Sequence, residues 1–444
     1  MFLIVPKEEA TGEAVMSVEW ARANRKKWEK LVELRPNAMH LVNLACIYHT
    51  LQASEIGLDG KALEMMEYIC ERIETAPDVS PAMRSQCIFN RGMFLRGFGR
   101  FAESARDIHR AFSLDQTSAY VAMAHAEELL REGNWDEGWG VHNGARGTVE
   151  GAAQAIGLSR ECKFWDGKEH PEHLLVINEG GAGDRINYTR YLPMLTELGI
   201  KWSFFCFDEF APFYERLSWI GRERMILEND KKEFSPPPSH WSTAFSLAGP
   251  LGITPATIPT YPTPYTAPPN QFRLDNPDGK RVVAFAWNAN ELFQGGLKCR
   301  SLTEGQAMRL VTSTADKLHW VNLQHHHRMP WPVINVPFET WQDTAAIISH
   351  MDAVVTVDSG PLWLSLAMGK PTGVVLSAAE DWKFAHEWGP NLRKYHNGPS
   401  DVYADCERAI DQLILDIRRG EFEAALKAPS FCSTNNRTHM AGNG

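Results

Sequence analysis

The sequence predicts an α-helical repeat domain followed by two α/β lobes, each built on a parallel sheet. Three observations carry this reading. Through the first third of the chain, apolar residues recur at helical spacing with no strand-like alternation. From His173 onward, short apolar runs of strand length alternate with helical stretches in two blocks. Between the blocks, prolines at 255, 259, 262, 264, 268 and 269 read as a stiff connection. The expected units are 1–155 (helical repeats), 165–270 (first lobe), 278–425 (second lobe) and a flexible tail, 426–444, rich in Ser, Thr, Asn and Gly.

Composition narrows the function. With 444 residues, 44% hydrophobic and 23% charged, the chain is long enough for two to four domains and is neither disordered overall nor fibrous. A formal net charge of -10 argues against general nucleic-acid binding and against coating an anionic membrane. No apolar run approaches the roughly 18 residues of a membrane span. The N-terminal run Met1–Pro6 is short and lacks a basic start, so a cytoplasmic protein is expected. The 8 Cys are scattered without Cys-x-x-Cys, which points to reduced, buried thiols.

In the first third, helices are expected over Asn43–Leu51, Ala62–Ile73, Ala82–Leu95, Phe101–Phe112 and Ser118–Leu130. Gly99-Arg100-Phe101-Ala102-Glu103 returns as Gly133-Asn134-Trp135-Asp136-Glu137, 34 residues later, with a weaker copy at Gly60–Glu64. A glycine turn, an aromatic and then a helix at this period resemble tetratricopeptide repeats. Such helix pairs bury their apolar faces only by stacking on neighbours.

In the first α/β block, strands are expected at His173–Asn178, Lys201–Phe207 and Met225–Glu228, with a helix running from Asp184 through Tyr191, Leu195 and Leu198. In the second, strands are expected at Val282–Trp287, Trp320–Gln324, Val333–Val336, Ala353–Asp358 and Thr372–Leu376. Helices are expected at Thr303–Thr314, Thr340–His350, Pro361–Met368 and, closing the chain, Val402–Arg418. Two such lobes predict a cleft facing the carboxyl ends of both sheets.

Four motifs border that cleft. Gly180-Gly181-Ala182-Gly183-Asp184 joins a strand to a helix, and its glycines allow a ligand close to the backbone. Asp184 reads either as the helix cap or as a carboxylate that removes a proton from a hydroxyl. Asp358-Ser359-Gly360-Pro361 ends a strand and opens a helix; it is either an ordinary turn or a seat for a diphosphate, with Asp358 holding a sugar hydroxyl. Asn288 at a strand end, and Lys298, Arg300 and Ser301 before the next helix, form either a solvated basic loop or a phosphate contact. His325-His326-His327 are adjacent, so their side chains alternate and a surface loop is expected rather than a metal site. No Walker A, Gly-x-Ser-x-Gly or His-Glu-x-x-His sequence is present.

Glu179–Asp184 with Tyr188–Pro193, His240–Leu247, Asp343–Ile348, Met351–Gly360 and Ala367–Pro371 together resemble the glycosyltransferase part of bacterial tetratricopeptide glycosyltransferases. These are similar to heptosyltransferases and, more distantly, to O-GlcNAc transferases. The resemblance spans about residues 60–395 and is most specific at its C-terminal signature. It implies a GT-B fold and metal-independent transfer from a nucleotide-diphosphate sugar, with a UDP or ADP carrier, and no cofactor. It further implies Asp184 as base, and Arg300, Ser301, Gln324, Asp358, Ser359 and Gly360 around the donor, joined by Lys298 and Asn288. Gly181, Gly183, His240, Ser246 and Trp363 would line the acceptor side. Trp363 stands where relatives carry His, and Ala248 where they carry Pro. The acceptor is expected to be a protein, a glycan or a modified nucleobase, positioned by the repeats. The alternative is a non-catalytic adaptor on a degenerate transferase domain, with Trp363 either stacking on a ligand or filling core.

Overall fold

The computed structural model describes residues 18–35, 37–52, 55, 58, 60–76, 79–148, 156–159, 161–230, 237–269, 272, 278–289, 300–325 and 328–422. The expected tail, Lys298, His326 and His327 lie outside them. Seven helices open the described chain: α1 (Val18–Leu34), α2 (Ala38–Leu51), α3 (Lys61–Thr75), α4 (Pro81–Gly97), α5 (Phe101–Leu114), α6 (Ala119–Arg131) and α7 (Trp135–Thr148). Ser80 caps α4, accepting from the Met83 amide, and Pro81 suits its first turn. The 34-residue repeat is visible in the backbone. Arg100 N donates to Leu95 O and Asn134 N to Leu129 O; Gly99 N donates to Arg96 O and Gly133 N to Leu130 O. Both glycines have positive φ, so each closes its helix with the same left-handed motif. Successive helix pairs are tied by charge as well as apolar contact. Arg91 holds Asp107 through two bonds of 2.6 and 2.7 Å, and Arg96 reaches the buried Glu128.

The first lobe carries β1 (Lys163–Phe164), β2 (Leu174–Ile177), β3 (Trp202–Cys206), β4 (Met225–Leu227) and β5 (His240–Thr243), with α8 (Ala182–Asn187), α9 (Leu192–Glu197) and α10 (Ala211–Tyr214). All its strand pairs are parallel, in the order β1-β5-β2-β3-β4. The helix expected from Asp184 onward is instead broken. A 3-10 turn at Tyr188–Tyr191 separates α8 from α9, whose first turn holds Pro193, a residue with no amide to continue the ladder.

The second lobe carries β6 (Arg281–Ala286), β7 (Leu318–Asn322), β8 (Val333–Asn335), β9 (Ala353–Thr356), β10 (Thr372–Leu376) and β11 (Leu392–His396). They are parallel in the order β11-β10-β9-β6-β7-β8. Its helices are α11 (Glu304–Thr314), α12 (Trp341–Ser349), α13 (Gly360–Ala367) and α14 (Glu407–Arg419). Capping boxes at Thr303/Gln306 and Thr340/Asp343 start α11 and α12. The closing helix starts at Glu407 rather than Val402; the preceding turn presses Tyr403 onto the helical domain instead.

One apolar core runs through all three units. It joins Trp135 and Trp139 of α7, Tyr188, Phe204 and Phe213 of the first lobe, and Trp363, Trp382 and Phe384 of the second. A second core fills the other face of the second sheet, under α11 and α14. The proline-rich connection is held along this seam: Tyr265 stacks on Phe213 and its amide donates to Ala367 O at 2.7 Å.

Candidate functional site

Leaving aside the two-residue edge strand β1, chain order in each sheet reverses at one point, between β2 and β5 in the first lobe and between β6 and β9 in the second. The crevice outside the carboxyl ends of strands at such a point is where α/β sheets bind ligands. The segments after β2, β6 and β9 carry Asp184, Asn288 and Asp358, so topology brings the separated motifs to one seam.

On the first-lobe side, Gly181 is the N-cap residue of α8. Asp184 therefore does not cap the helix, and its carboxylate, about a third exposed, turns to the other lobe. There Lys383 Nζ donates to Asp184 Oδ1 at 3.0 Å. Gly183 lies against the second lobe so closely that an added Cβ would sit 2.6 Å from Trp363 Cδ1. The Gly-rich loop and the start of α13 are thus in direct contact.

On the second-lobe side, Asp358 is buried and its Oδ2 accepts from Arg300 Nη1 at 3.0 Å. Ser359 is the N-cap residue of α13, but its side chain makes no capping bond; the hydroxyl lies 2.9 Å from Thr356 Oγ1. Gly360 opens the helix beneath the Trp341 ring. Ser301 Oγ accepts from the Ala289 amide at 3.0 Å, pinning the loop after β6. Gln324 grips the Asn288 backbone from both sides: Oε1 accepts from its amide at 3.0 Å, and Nε2 donates to its carbonyl at 3.2 Å. A small hollow lies between Arg300, Asp358, Ser377, Glu380, Asp381 and Phe384.

Two expected site residues sit elsewhere, and a third, Trp363, lies in the seam but is buried. His240 begins β5, the amino end of its strand and so the end away from the cleft, where it contacts Ser239 Oγ at 3.0 Å and Glu169 Oε2 at 3.6 Å. Ser246 is buried against the helical domain: its hydroxyl accepts from Thr243 Oγ1 and its carbonyl from Asn143 Nδ2 of α7. Trp363 is 1% exposed, edge-on to Trp388 and stacked with Phe384, so it fills the seam between lobes and has no face left for a ligand. Its neighbours Leu364 and Leu366 on the same helix are buried as well.

Lys383 was not anticipated. It lies on a 3-10 turn, Trp382–Ala385, after β10, and no spacing rule links it to Asp184, 199 residues away. Burial disfavours its charge, but Asp184 and Asp381 outweigh this and lift its pKa well above the ordinary lysine range. Burial likewise opposes ionisation of Asp381, yet Lys383 holds that carboxyl below its ordinary value. Tyr188, one turn after Asp184, is fully buried and its phenol is pushed well up by desolvation.

Two facing lobes of parallel strands with their carboxyl ends toward a common seam are the GT-B arrangement, here preceded by helical hairpins. No family model matches the chain, and no curated protein matches it. Solved structures similar to it include the dodecameric iron-containing glycosyltransferase TibC from enterotoxigenic E. coli, at 14% identity and TM-score 0.39 over 57% of this chain and 77% of that one. E. coli heptosyltransferase WaaC with ADP is 12% identical with TM-score 0.35, over 55% of this chain and 99% of that one. A variant of Thermobaculum terrenum O-GlcNAc transferase is 11% identical with TM-score 0.32, over 95% of both chains. Likenesses this distant transfer neither activity nor residue roles, so the chemistry has to come from this chain's own side chains. Among the described residues, no helix is long and apolar enough to cross a membrane.

Proposed function

We propose that the protein is an inverting, metal-independent glycosyltransferase that moves a sugar from a nucleotide-diphosphate donor to an acceptor hydroxyl. The observation that carries this reading is the meeting of Asp184 with the start of α13 across one seam, through Gly183 against Trp363 and Lys383 against Asp184. Asp184 takes the acceptor's proton, the acceptor oxygen bonds to the anomeric carbon, and the bond from that carbon to the diphosphate oxygen breaks. The diphosphate leaves with the electron pair. Its charge is met by Arg300 and by the free amides at the start of α13. Ser301, Gln324 and Asn288 shape the loop facing the nucleotide. The helical domain, fixed to both lobes, presents the acceptor, which is a protein, a glycan or a modified nucleobase.

The test is incubation of the full chain with UDP-, ADP- and GDP-sugars, followed by mass spectrometry for donor hydrolysis and by thermal melting. A donor that is both bound and slowly hydrolysed supports the reading. The lobes meet closely at the seam, Gly183 against Trp363 and Asp184 against Lys383, so the donor requires the seam to widen. That closeness, with Trp363 buried in the seam, favours a second reading: an adaptor whose transferase domain no longer turns over. Absence of any melting shift across the donors selects the adaptor, because any ligand of the native state must raise its stability.

A further inference from the structure

Lys383 is a buried cation at the seam that the proposed chemistry leaves without a task. Its backbone is locked in place. Asp381 Oδ1 accepts from the Lys383 amide at 3.1 Å, and the Lys383 carbonyl accepts from Trp388 Nε1 at 2.7 Å. Its ammonium can donate three hydrogen bonds, and among the described residues the bond to Asp184 Oδ1 is the one it makes. Asp381 Oδ2 lies at 3.9 Å, an ion-pair distance too long for a hydrogen bond, and the Trp363 ring centre at 5.7 Å. Asp358, at the start of α13, is close enough for its charge to act on the ammonium. A buried ammonium that loses its only hydrogen-bonded anion must find another, since an unpaired charge there is costly.

We propose that Lys383 is a positioning residue shared by two anions: it holds Asp184 until a nucleoside diphosphate seats beside α13, whose phosphate oxygens then take the ammonium and release the Asp184 carboxylate. This rests on the glycosyltransferase reading and adds an order to it. The base is freed only once the donor is in place, so the acceptor is activated only in the loaded cleft. A diphosphate carries more charge than one carboxylate and brings several acceptor oxygens, which lets it win the exchange.

The test measures ADP, UDP and GDP binding to the full chain by calorimetry, for the wild type and for Asp184→Asn, Lys383→Met and Lys383→Arg. Removing the competing carboxylate in Asp184→Asn is expected to tighten the best diphosphate about 3–10-fold. Lys383→Met is expected to weaken it about 10-fold or more, the weight of one charge-assisted hydrogen bond, and Lys383→Arg to recover part of that. A residue that merely braced the fold would not make Asp184→Asn bind more tightly. If the wild type binds a diphosphate and Asp184→Asn binds it equally or more weakly, the shared-anion role is overturned and the transferase reading survives. If the wild type binds none of the three, both fall. Should Lys383→Met lose its cooperative melt, the Asp184→Asn arm, which keeps size and shape, decides.

Discussion

Asp184 and Arg300 stand on opposite lobes, and each is already paired, Asp184 with Lys383 and Arg300 with Asp358. Their replacement separates chemistry from binding. Asp184→Asn keeps the shape of the side chain but cannot accept the acceptor's proton, so turnover should fall about 10²–10⁴-fold while a donor still raises the melting temperature. Mass-spectrometric product formation beside a melting curve checks both halves, and near-wild-type turnover removes Asp184 as base. Arg300→Ala together with Ser359→Ala should weaken diphosphate affinity about 10–100-fold in calorimetry, because the guanidinium is held by Asp358, directly before α13. Unchanged affinity would move the phosphate seat elsewhere.

The contact between the Gly-rich loop and α13 depends on a missing side chain. With an added Cβ 2.6 Å from the buried indole of Trp363, Gly183→Ala must displace either the loop or the ring. It should cost about 1–3 kcal/mol and lower the melting temperature, and Trp363→Leu in the same chain should return part of the loss. Additive losses in the double variant would mean that the two elements do not meet. The end of α4 also rests against the second lobe. The carbonyls of Gly97 and Phe98, which no helix turn can satisfy, accept from the amides of Ala404 and Ser400 at 2.8 and 3.0 Å. Gly97→Ala would favour an isolated helix by about 1 kcal/mol. Here its Cβ falls 2.1 Å from Tyr403 Cε2, so it should destabilise, with Tyr403→Ala suppressing the effect in urea unfolding.

The helical hairpins form one body with the two lobes through such contacts. Trp135 and Trp139 lie against Trp382, Asn143 holds the Ser246 carbonyl, and Arg131 Nη2 donates to Glu380 O at 3.0 Å. Glu380 also borders the hollow beside Asp358, so the repeats brace a wall of the site. His49 of α2 is fully buried between Phe94 and Tyr403 of the second lobe, with ring centres at 4.2 and 5.3 Å. Burial lowers its pKa to about 3, against 6.5 for a free histidine. Between those values the unfolded chain takes up a proton that the folded chain refuses. This histidine therefore subtracts stability as pH falls below about 6.5, by about 1.4 kcal/mol per unit. Denaturant unfolding at pH 7.5, 5.5 and 4.5 should show the loss, and His49→Phe should flatten it; an unchanged slope would assign the acid sensitivity to other groups.

The repeat at Gly99 and Gly133, the helices around it and most of the parallel strands were legible in the residue order, because helix period, strand runs and turn residues are local properties of the chain. The strands β1, β5 and β11 were not. Each is short or carries polar residues, as in His240–Thr243 and Leu392–His396, and becomes a strand only because a neighbour offers a parallel edge. The site divides in the same way. Asp184 and Asp358 stand out as carboxylates in glycine-bearing turns between strand and helix, and Arg300 as a cation just before a helix, and these are local patterns. Lys383, in contrast, gained its partner only through folding, and His240 and Trp363 lost the roles their motifs suggested once strand direction and seam contacts were set. Local preferences reach a few residues along the chain, whereas the meeting of two lobes depends on which strands reverse order and which side chains fill the gap between sheets.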